Sequence, residues 1–394
     1  MGLNSVPSSG RAHIAFFGRR NVGKSSLVNA VTGQDLALVS EVKGTTTDPV
    51  QKAMELLPLG PVVVIDTPGI DDEGGLGGMR VRRARRVLNK TDAAVLVAEA
   101  GVPMGAHELE LIALFREKNI PFVVAINKSD LASAHAEDGA VCVSAKTGLN
   151  IGELKEKIAG LVGGLGDGPS LVAGLVRPLD FVVLVVPIDK AAPKGRLILP
   201  QQQTVRDLLE AGAASIVVRE SELRETLARL GRKPALVVTD SQAFAEVAAE
   251  VPEDVPLTSF SILFARRKGV LESSLLGAAA LDTLRDGDRV LVCEGCTHHR
   301  QCDDIGTVKL PRMIREFSGK EPDFAFTSGG DFPEDLSGYR LVVHCGACMI
   351  NDREMQFRRR NAEDQGIPFT NYGMAIAKTK GILERSVAVF SPKA

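Results

Sequence analysis

The sequence predicts an α/β chain whose N-terminal part is a doubly wound parallel sheet, followed by two smaller α/β units. Three observations carry this. Between residues 13 and 165, strand-length apolar runs alternate with stretches of helical period, the pattern of parallel strands covered by helices on both faces. A Gly-rich break, Gly163-Gly164-Leu165-Gly166-Asp167-Gly168-Pro169, interrupts the alternation and reads as a linker. The alternation resumes beyond it, and again after the basic step Arg266-Arg267-Lys268-Gly269. At 394 residues the chain also exceeds one ordinary core. Domains are therefore expected at 1–166, 167–268 and 269–394.

In the first domain, His13 to Gly18, Pro61 to Ile65, Ala93 to Ala98, Pro121 to Ile126 and Ala140 to Val143 read as buried strands. Lys24 to Val31, Glu108 to Lys118 and Ile151 to Leu161 read as helices. The second has strand patterns at Phe181 to Pro187, Ser215 to Val218 and Ala235 to Val238, with helical spacers at Thr204 to Ala211, Glu222 to Leu230 and Gln242 to Glu250. It shows no catalytic constellation. The third has strand patterns at Arg289 to Val292 and Arg340 to His344. Neither an internal repeat nor a low-complexity tract is apparent.

Bulk properties narrow the class. A net charge of −2 argues against a protein that coats nucleic acid. The first residues lack a secretory apolar stretch, the N-myristoylation pattern is absent, and the longest apolar runs are strand-length, so a cytoplasmic protein without a membrane segment is expected. Five of the six cysteines, Cys293, Cys296, Cys302, Cys345 and Cys348, fall in one segment, which points to metal rather than a disulfide scaffold. Cys142, alone in an apolar strand, reads as a small core residue.

Four segments in order point to a guanine nucleotide. Gly18-Arg-Arg-Asn-Val-Gly23-Lys24-Ser25 lies between a strand and a helix, as a phosphate-cradling loop requires. Its glycines allow close backbone approach to phosphates at a helix N-terminus, Lys24 reaches the β and γ phosphates, and Ser25 ligates Mg²⁺. Asp66-Thr-Pro-Gly69 follows an apolar strand, so Asp66 can hold Mg²⁺ through water and Gly69 can offer its amide to the γ phosphate. Asn127-Lys128-Ser129-Asp130 follows another, and Asp130 can accept two hydrogen bonds that guanine supplies and adenine does not. Ser144-Ala145-Lys146 supplies a loop for the guanine oxygen, and Val22 and Ser26 complete the phosphate-side set.

These segments resemble the Era/TrmE-like GTPases. The resemblance implies that Thr46, in Gly44-Thr-Thr-Thr-Asp48, closes on Mg²⁺ when GTP is bound, and that Lys24, Thr46, Asp66 and Gly69 carry hydrolysis of GTP to GDP. Ile70 stands where Ras-like enzymes place a water-orienting glutamine, so slow, switch-like turnover is expected, with Asp71, Asp72 and Glu73 as candidates for positioning the water. In the potassium-activated branch, the asparagine matching Asn21 binds K⁺, which implies K⁺-stimulated turnover here.

The second site is a cysteine/histidine set. Cys296-Thr-His298 and His344-Cys345-Gly-Ala-Cys348 each follow a strand pattern, so both are expected at the carboxyl ends of parallel strands, where ligands sit in α/β sheets. Zinc is one reading, because Cys293-x-x-Cys296 with Cys345-x-x-Cys348 offers four thiolates. The whole chain, however, resembles the HydF family of [FeFe]-hydrogenase maturation GTPases. That resemblance implies a [4Fe–4S] cluster on Cys296, Cys345 and Cys348, with His298 and His344 as candidates for fourth ligand or supporting shell, and Asp303 or Asp304 as weaker ones. Cys293, His299 and Cys302 fall outside the family's motif. It further implies a scaffold for a transient diiron precursor, a middle domain that dimerises, and radical-SAM maturases and hydrogenase apoprotein as partners.

Two basic runs remain. Arg80 to Arg86 and Arg358-Arg359-Arg360 read as solvated helix faces, with anion binding as the alternative. The rival for the whole chain is an Era-like GTPase of RNA modification or ribosome assembly with a structural zinc site, against which stand the charge balance and the lack of an RNA-binding module.

Overall fold

The computed structural model describes residues 8–34, 50–69, 86–132, 139–163, 170–188, 197–295 and 304–390. Thr46, Ile70 to Glu73, Cys296, His298, His299, Cys302 and Asp303 lie outside these residues. The chain divides into two compact units, Met1–Asp167 and Gly168–Ala394.

The first unit is built on six strands: β1 (Ala12–Phe17), β2 (Val50–Leu56), β3 (Gly60–Asp66), β4 (Ala93–Glu99), β5 (Phe122–Asn127) and β6 (Val141–Cys142). Their order is β2-β3-β1-β4-β5-β6, and every pairing is parallel except the β2–β3 hairpin. The described helices α1 (Lys24–Thr32), α2 (Ala106–Glu117) and α3 (Ile151–Gly163) follow β1, β4 and β6. Alternate residues of the central strands feed two separate cores: Ile14, Phe16 and Val64 pack with α1 and α3, while Ala15, Phe17 and Ile65 pack with α2. That two-sided burial is why these strands read as unbroken apolar runs. Strand β2 went unread because it is an edge strand whose first residues face solvent. Cys142 is half-buried rather than a full core residue, at the end of its short edge strand.

The second unit holds two four-stranded sheets. The first contains β7 (Phe181–Val185), β8 (Ala214–Val218), β9 (Leu236–Thr239) and β10 (Leu257–Ser259). The second contains β11 (Arg289–Glu294), β12 (Asp323–Ser328), β13 (Leu341–His344) and β14 (Phe369–Asn371). The helices are α4 (Leu199–Glu210), α5 (Leu223–Arg229), α6 (Phe244–Glu250), α7 (Phe260–Arg267), α8 (Leu271–Ala278), α9 (Leu310–Ser318), α10 (Asp352–Asp364), α11 (Tyr372–Thr379) and α12 (Leu383–Val387).

These sheets overturn the expectation of no internal repeat. Their orders, β10-β9-β7-β8 and β12-β11-β13-β14, describe the same winding read from opposite edges, with every pairing parallel. The registers match as well. Val185 pairs with Thr239 and Thr239 with Ser259; in the other sheet Cys293 pairs with His344 and His344 with Asn371. Ser259 caps Ile262 as Asn371 caps Met374. With the registers in hand, the kinship shows in the chain: Pro256-Leu-Thr leads to Lys268-Gly-Val-Leu-Glu272, and Pro368-Phe-Thr leads to Lys380-Gly-Ile-Leu-Glu384. The halves also exchange their last helices. Helix α8 packs on β14 and α12 packs on β10, the reciprocal pattern of a two-fold interface. Gly277 of α8 is pressed so close that a Cβ there would meet the Phe369 carbonyl oxygen at 2.0 Å.

Candidate nucleotide site and cysteine site

In the first unit, all strands but β2 run the same way, so Gly18, Asp66, Asn127 and Ser144 come to one edge of the sheet. Gly18 and Gly23 have positive φ, 150° and 88°. A Cβ on Gly18 would meet the Val97 carbonyl oxygen at 2.3 Å, and one on Gly23 would meet Asn127 Nδ2 at 2.4 Å. Glycine is thus demanded twice over, by conformation and by space. Helix α1 begins at Lys24 directly after Gly23, so its free amides open into the loop. Lys24 is buried, and its ammonium donates to the carbonyls of Gly18 at 2.9 Å and Arg19 at 2.6 Å.

Ser25 Oγ donates to Asp66 Oδ2 at 2.6 Å. The other carboxylate oxygen, Oδ1, is buried with no hydrogen-bond partner among the described residues. Burial raises the Asp66 pKa, opposed by the Ser25 hydrogen bond and the Lys24 charge. An orphaned carboxylate oxygen beside a serine hydroxyl is a hard oxygen donor set, which fits Mg²⁺. Gly69 lies against the loop: a Cβ there would meet the Arg20 amide nitrogen at 2.9 Å.

Asn127 braces the site. Its Nδ2 donates to the Val22 carbonyl at 2.9 Å, and its Oδ1 accepts from the Ala145 amide at 3.0 Å, tying the phosphate loop to the loop after β6. Lys128 takes a left-handed φ of 63° and pairs with Glu99 at 2.9 Å. The Ser144 hydroxyl accepts from the Thr147 amide at 3.1 Å. A cavity of about 710 Å³ results, lined among others by Gly23, Ser26, Asn127, Lys128, Asp130, Ser144, Ala145 and Lys146. Three segments distant in sequence thus converge on one cavity, with Asp130 exposed at its wall. Asn21 is also left-handed, φ 63°, and exposed. Sequence reading missed Arg19, whose guanidinium pairs with buried Glu108 of α2.

In the second unit, β11 and β13 lie side by side, so their carboxyl ends open together. The Cys345 amide donates to the Cys293 carbonyl at 2.8 Å, which continues the ladder into the loop. Two amides then point at the Cys345 sulfur, Gly295 N at 3.0 Å and Ala347 N at 3.4 Å, the second aimed by a left-handed φ of 56°. Burial raises the Cys345 pKa, while these amides and Arg358 pull it down. Gly295 directly precedes Cys296 in the chain, so the hydrogen bond ties the two cysteine-bearing loops together. Cys348 packs against the apolar cluster that contains Phe260, Leu263 and Phe264. Cys293 is fully buried and its thiol is pushed up to about 12 by that burial, so it stays protonated in the core.

His344 is fully buried, and both ring nitrogens are engaged, Nδ1 with the Cys345 carbonyl at 2.9 Å and Nε2 with Arg358 Nη1 at 3.0 Å. Burial and then the Arg358 charge drive its pKa down to about 3. Arg358 corrects the expectation of a solvated basic run: it is 1% exposed, pairs with Glu354 at 2.9 Å and donates to the Gly329 carbonyl at 2.6 Å. Among the described residues no three His, Cys, Asp or Glu side chains are placed to hold a metal ion. An amide-solvated cysteine sulfur, a half-buried cysteine three residues on and a buried, fully bonded histidine beneath them still make a donor set suited to thiolate-held iron.

Three family models match the chain. "Hydrogen maturase F dimerization domain" matches residues 171–269, "Hydrogen maturase F tetramerization domain" matches 272–389, and "50S ribosome-binding GTPase" matches 13–128. Among curated relatives, a tRNA modification GTPase MnmE from Thiobacillus denitrificans is 30% identical over 250 residues, 62% of this chain and 48% of its own. A GTPase Der from Wolinella succinogenes is 33% identical over 174 residues, 40% of this chain and 36% of its own. The chain thus spans about half, or less, of the length of these relatives. Among solved structures, Era from Aquifex aeolicus is 20% identical, with 53% of this chain and 93% of that one covered and a TM-score of 0.35. No helix among the described residues is long and apolar enough to cross a membrane.

Proposed function

The chain belongs to the hydrogen maturase F family, with a GTPase-type domain ahead of that family's dimerization and tetramerization domains, and we propose that it hydrolyses GTP and serves as an iron–sulfur scaffold in hydrogenase maturation. One observation carries the first half. The cavity edged by Asp130 and Ser144 to Lys146 opens beside a phosphate loop whose Ser25 and Asp66 already touch.

In this reading Asp130 accepts from the guanine edge, and Ala145 and Lys146 meet the guanine oxygen. Asn127 holds their loop at fixed distance from the phosphate loop. Lys24 transfers its two donations from backbone carbonyls to phosphate oxygens, and Ser25 with Asp66 holds Mg²⁺. Gly69 gives its amide to the γ phosphate, Thr46 closes over it, and Asn21 takes a K⁺ ion. Electrostatic stabilisation and positioning do the work, because phosphoryl transfer asks little covalent chemistry of the protein.

In the second unit, Cys345, Cys348 and Cys296 would hold a [4Fe–4S] cluster, with His298 or a carboxylate as candidates for the fourth ligand. Bound there, the cluster would supply an exchangeable iron position for a diiron precursor. His344 acts as a support: its Nε2 is held by Arg358, so it orients the loop and does not ligate. The dimerising and tetramerising segments make a homo-oligomer, and radical-SAM maturases and the hydrogenase apoprotein are the partners. The family models over 171–389 favour this over the RNA-directed rival with zinc. The test is metal and sulfide analysis with EPR on anaerobically purified, dithionite-reduced protein, beside GTP turnover in K⁺ and in Na⁺. Four irons and four sulfides with K⁺-dependent turnover support the reading; one zinc and no signal after reconstitution remove the scaffold.

A further inference from the structure

The duplication gives the cysteine site an internal control. Each position around it has a counterpart in the other half of the unit, fixed by register. Cys293 corresponds to Val185, His344 to Thr239 and Asn371 to Ser259. One residue further along each strand or helix, Glu294 corresponds to Val186, Cys345 to Asp240 and Tyr372 to Phe260. Val185, Val186 and Phe260 are all core residues. The fold therefore fills these places with apolar side chains, and the cysteine-bearing half has put a thiol, a carboxylate and a phenol there.

A buried polar group without a partner is costly, on the order of 1–3 kcal/mol. Tyr372 is 8% exposed, and its hydroxyl has no hydrogen-bond partner among the described residues. The ring packs in the cluster against which Cys345 lies. Its oxygen lies close against Gly306, beside Glu294: a Cβ on Gly306 would fall 2.3 Å from Tyr372 Oη and 2.8 Å from Glu294 Oε1. A tyrosine hydroxyl keeps its proton at neutral pH and can donate one hydrogen bond. The group is a donor in want of an acceptor.

We propose that Tyr372 donates a hydrogen bond to a sulfur of the iron–sulfur cluster held at Cys345, and so raises the cluster's reduction potential. This rests on the assignment of the cluster made above. A donor to a cluster sulfur stabilises the reduced, more negative state over the oxidised one. Phe260 at the corresponding place shows that the fold needs the ring and not the hydroxyl.

The experiment uses Tyr372→Phe in the full chain, which restores the residue of the other half. Iron and sulfide content and the cluster midpoint, from an EPR-monitored redox titration, are measured for both proteins; the metal-free forms are compared by urea unfolding followed by circular dichroism. The expected result is equal iron content, a midpoint at lower potential in the variant, and metal-free stability equal or slightly greater. Equal midpoints at equal iron content overturn the proposal and leave the cluster assignment standing. A metal-free variant less stable than the parent overturns it too, because the hydroxyl would then have a partner within the protein. No iron in the parent protein removes both.

Discussion

Replacing Arg358 by Met should be among the most damaging single changes available in the second unit. The guanidinium is 1% exposed and makes three kinds of contact: the Glu354 carboxylate at 2.9 Å, His344 Nε2 at 3.0 Å and the Gly329 carbonyl at 2.6 Å. Met keeps the volume of the aliphatic shaft, so the cavity term is small and the loss is mainly electrostatic. What remains is a carboxylate only 12% exposed, a buried histidine acceptor and a half-buried carbonyl, all without their donor. Removing one partner of a buried ion pair costs about 3–5 kcal/mol, mostly because the other charge is stranded. A double variant, Arg358→Met with Glu354→Leu, removes the stranded charge and should recover at least half of the loss. The chain offers a clean probe. It has no tryptophan, and its two tyrosines, Tyr339 and Tyr372, both lie in the second unit, so tyrosine fluorescence in urea reports that unit alone. A loss below about 1 kcal/mol for Arg358→Met would refute the reasoning, as would a double variant worse than the single one.

Four further outcomes are expected. Lys24→Ala should abolish GTP hydrolysis, at least a hundredfold in turnover, while iron content in the second unit is unchanged; phosphate release and iron analysis on one preparation check both. Cys345→Ala should lose the cluster, read as loss of visible absorbance and bound iron, with GTP turnover kept. The His344 pKa of about 3 lies below the ~6.5 of an unfolded imidazole, so between those values the unfolded chain binds the extra proton. Stability of the metal-free second unit should therefore be complete above about pH 6.5 and fall on acidification, by roughly 2 kcal/mol from pH 7 to pH 5, which urea midpoints at the two pH values would show. Gly277→Ala should destabilise the same unit although alanine favours helices, because its Cβ would lie 2.0 Å from the Phe369 carbonyl oxygen.

Parallel strands buried on both faces announce themselves, and so did β1, β3, β4, β5, β7, β9, β11 and β13, together with the loops that follow the strands of the nucleotide site. The strands left unread have reasons on view. β2 exposes its first residues; β10 and β14 have three residues each; β12 is flanked by Asp323 and Ser328 and sits at an edge. The duplication hid because it preserves apolar class more than identity. Helix lengths also drifted, with seven residues in α6 against thirteen in α10. Arg358 was misread through its neighbours, since a run of three arginines looks solvated. The helical period held the correction: Met355, Arg358 and Ala362 share one stripe, and all three are buried.

The two halves of the second unit also explain how a costly site is tolerated there. Cys293, Glu294 and Tyr372 bury polar atoms where the other half keeps Val185, Val186 and Phe260, and such burial erodes stability. The apolar half shares its core with the polar one. Val183, Val237, Leu257 and Phe244 belong to one continuous cluster with Leu291, Val342, Phe369 and Met374. The seam is tight beside the cysteine loop, where α11 meets α7. Cys348 rests on the cluster of α7, the Cβ site of Gly346 lies 3.8 Å from Ser261 Oγ, and a Cβ on Gly373 would meet Ser261 Cβ at 2.6 Å. Helix α11 cannot shift there without moving α7, because a close-packed seam offers no slack. The apolar half thus forms the wall against which Cys348 packs, and α8 and α12 tie the two halves together.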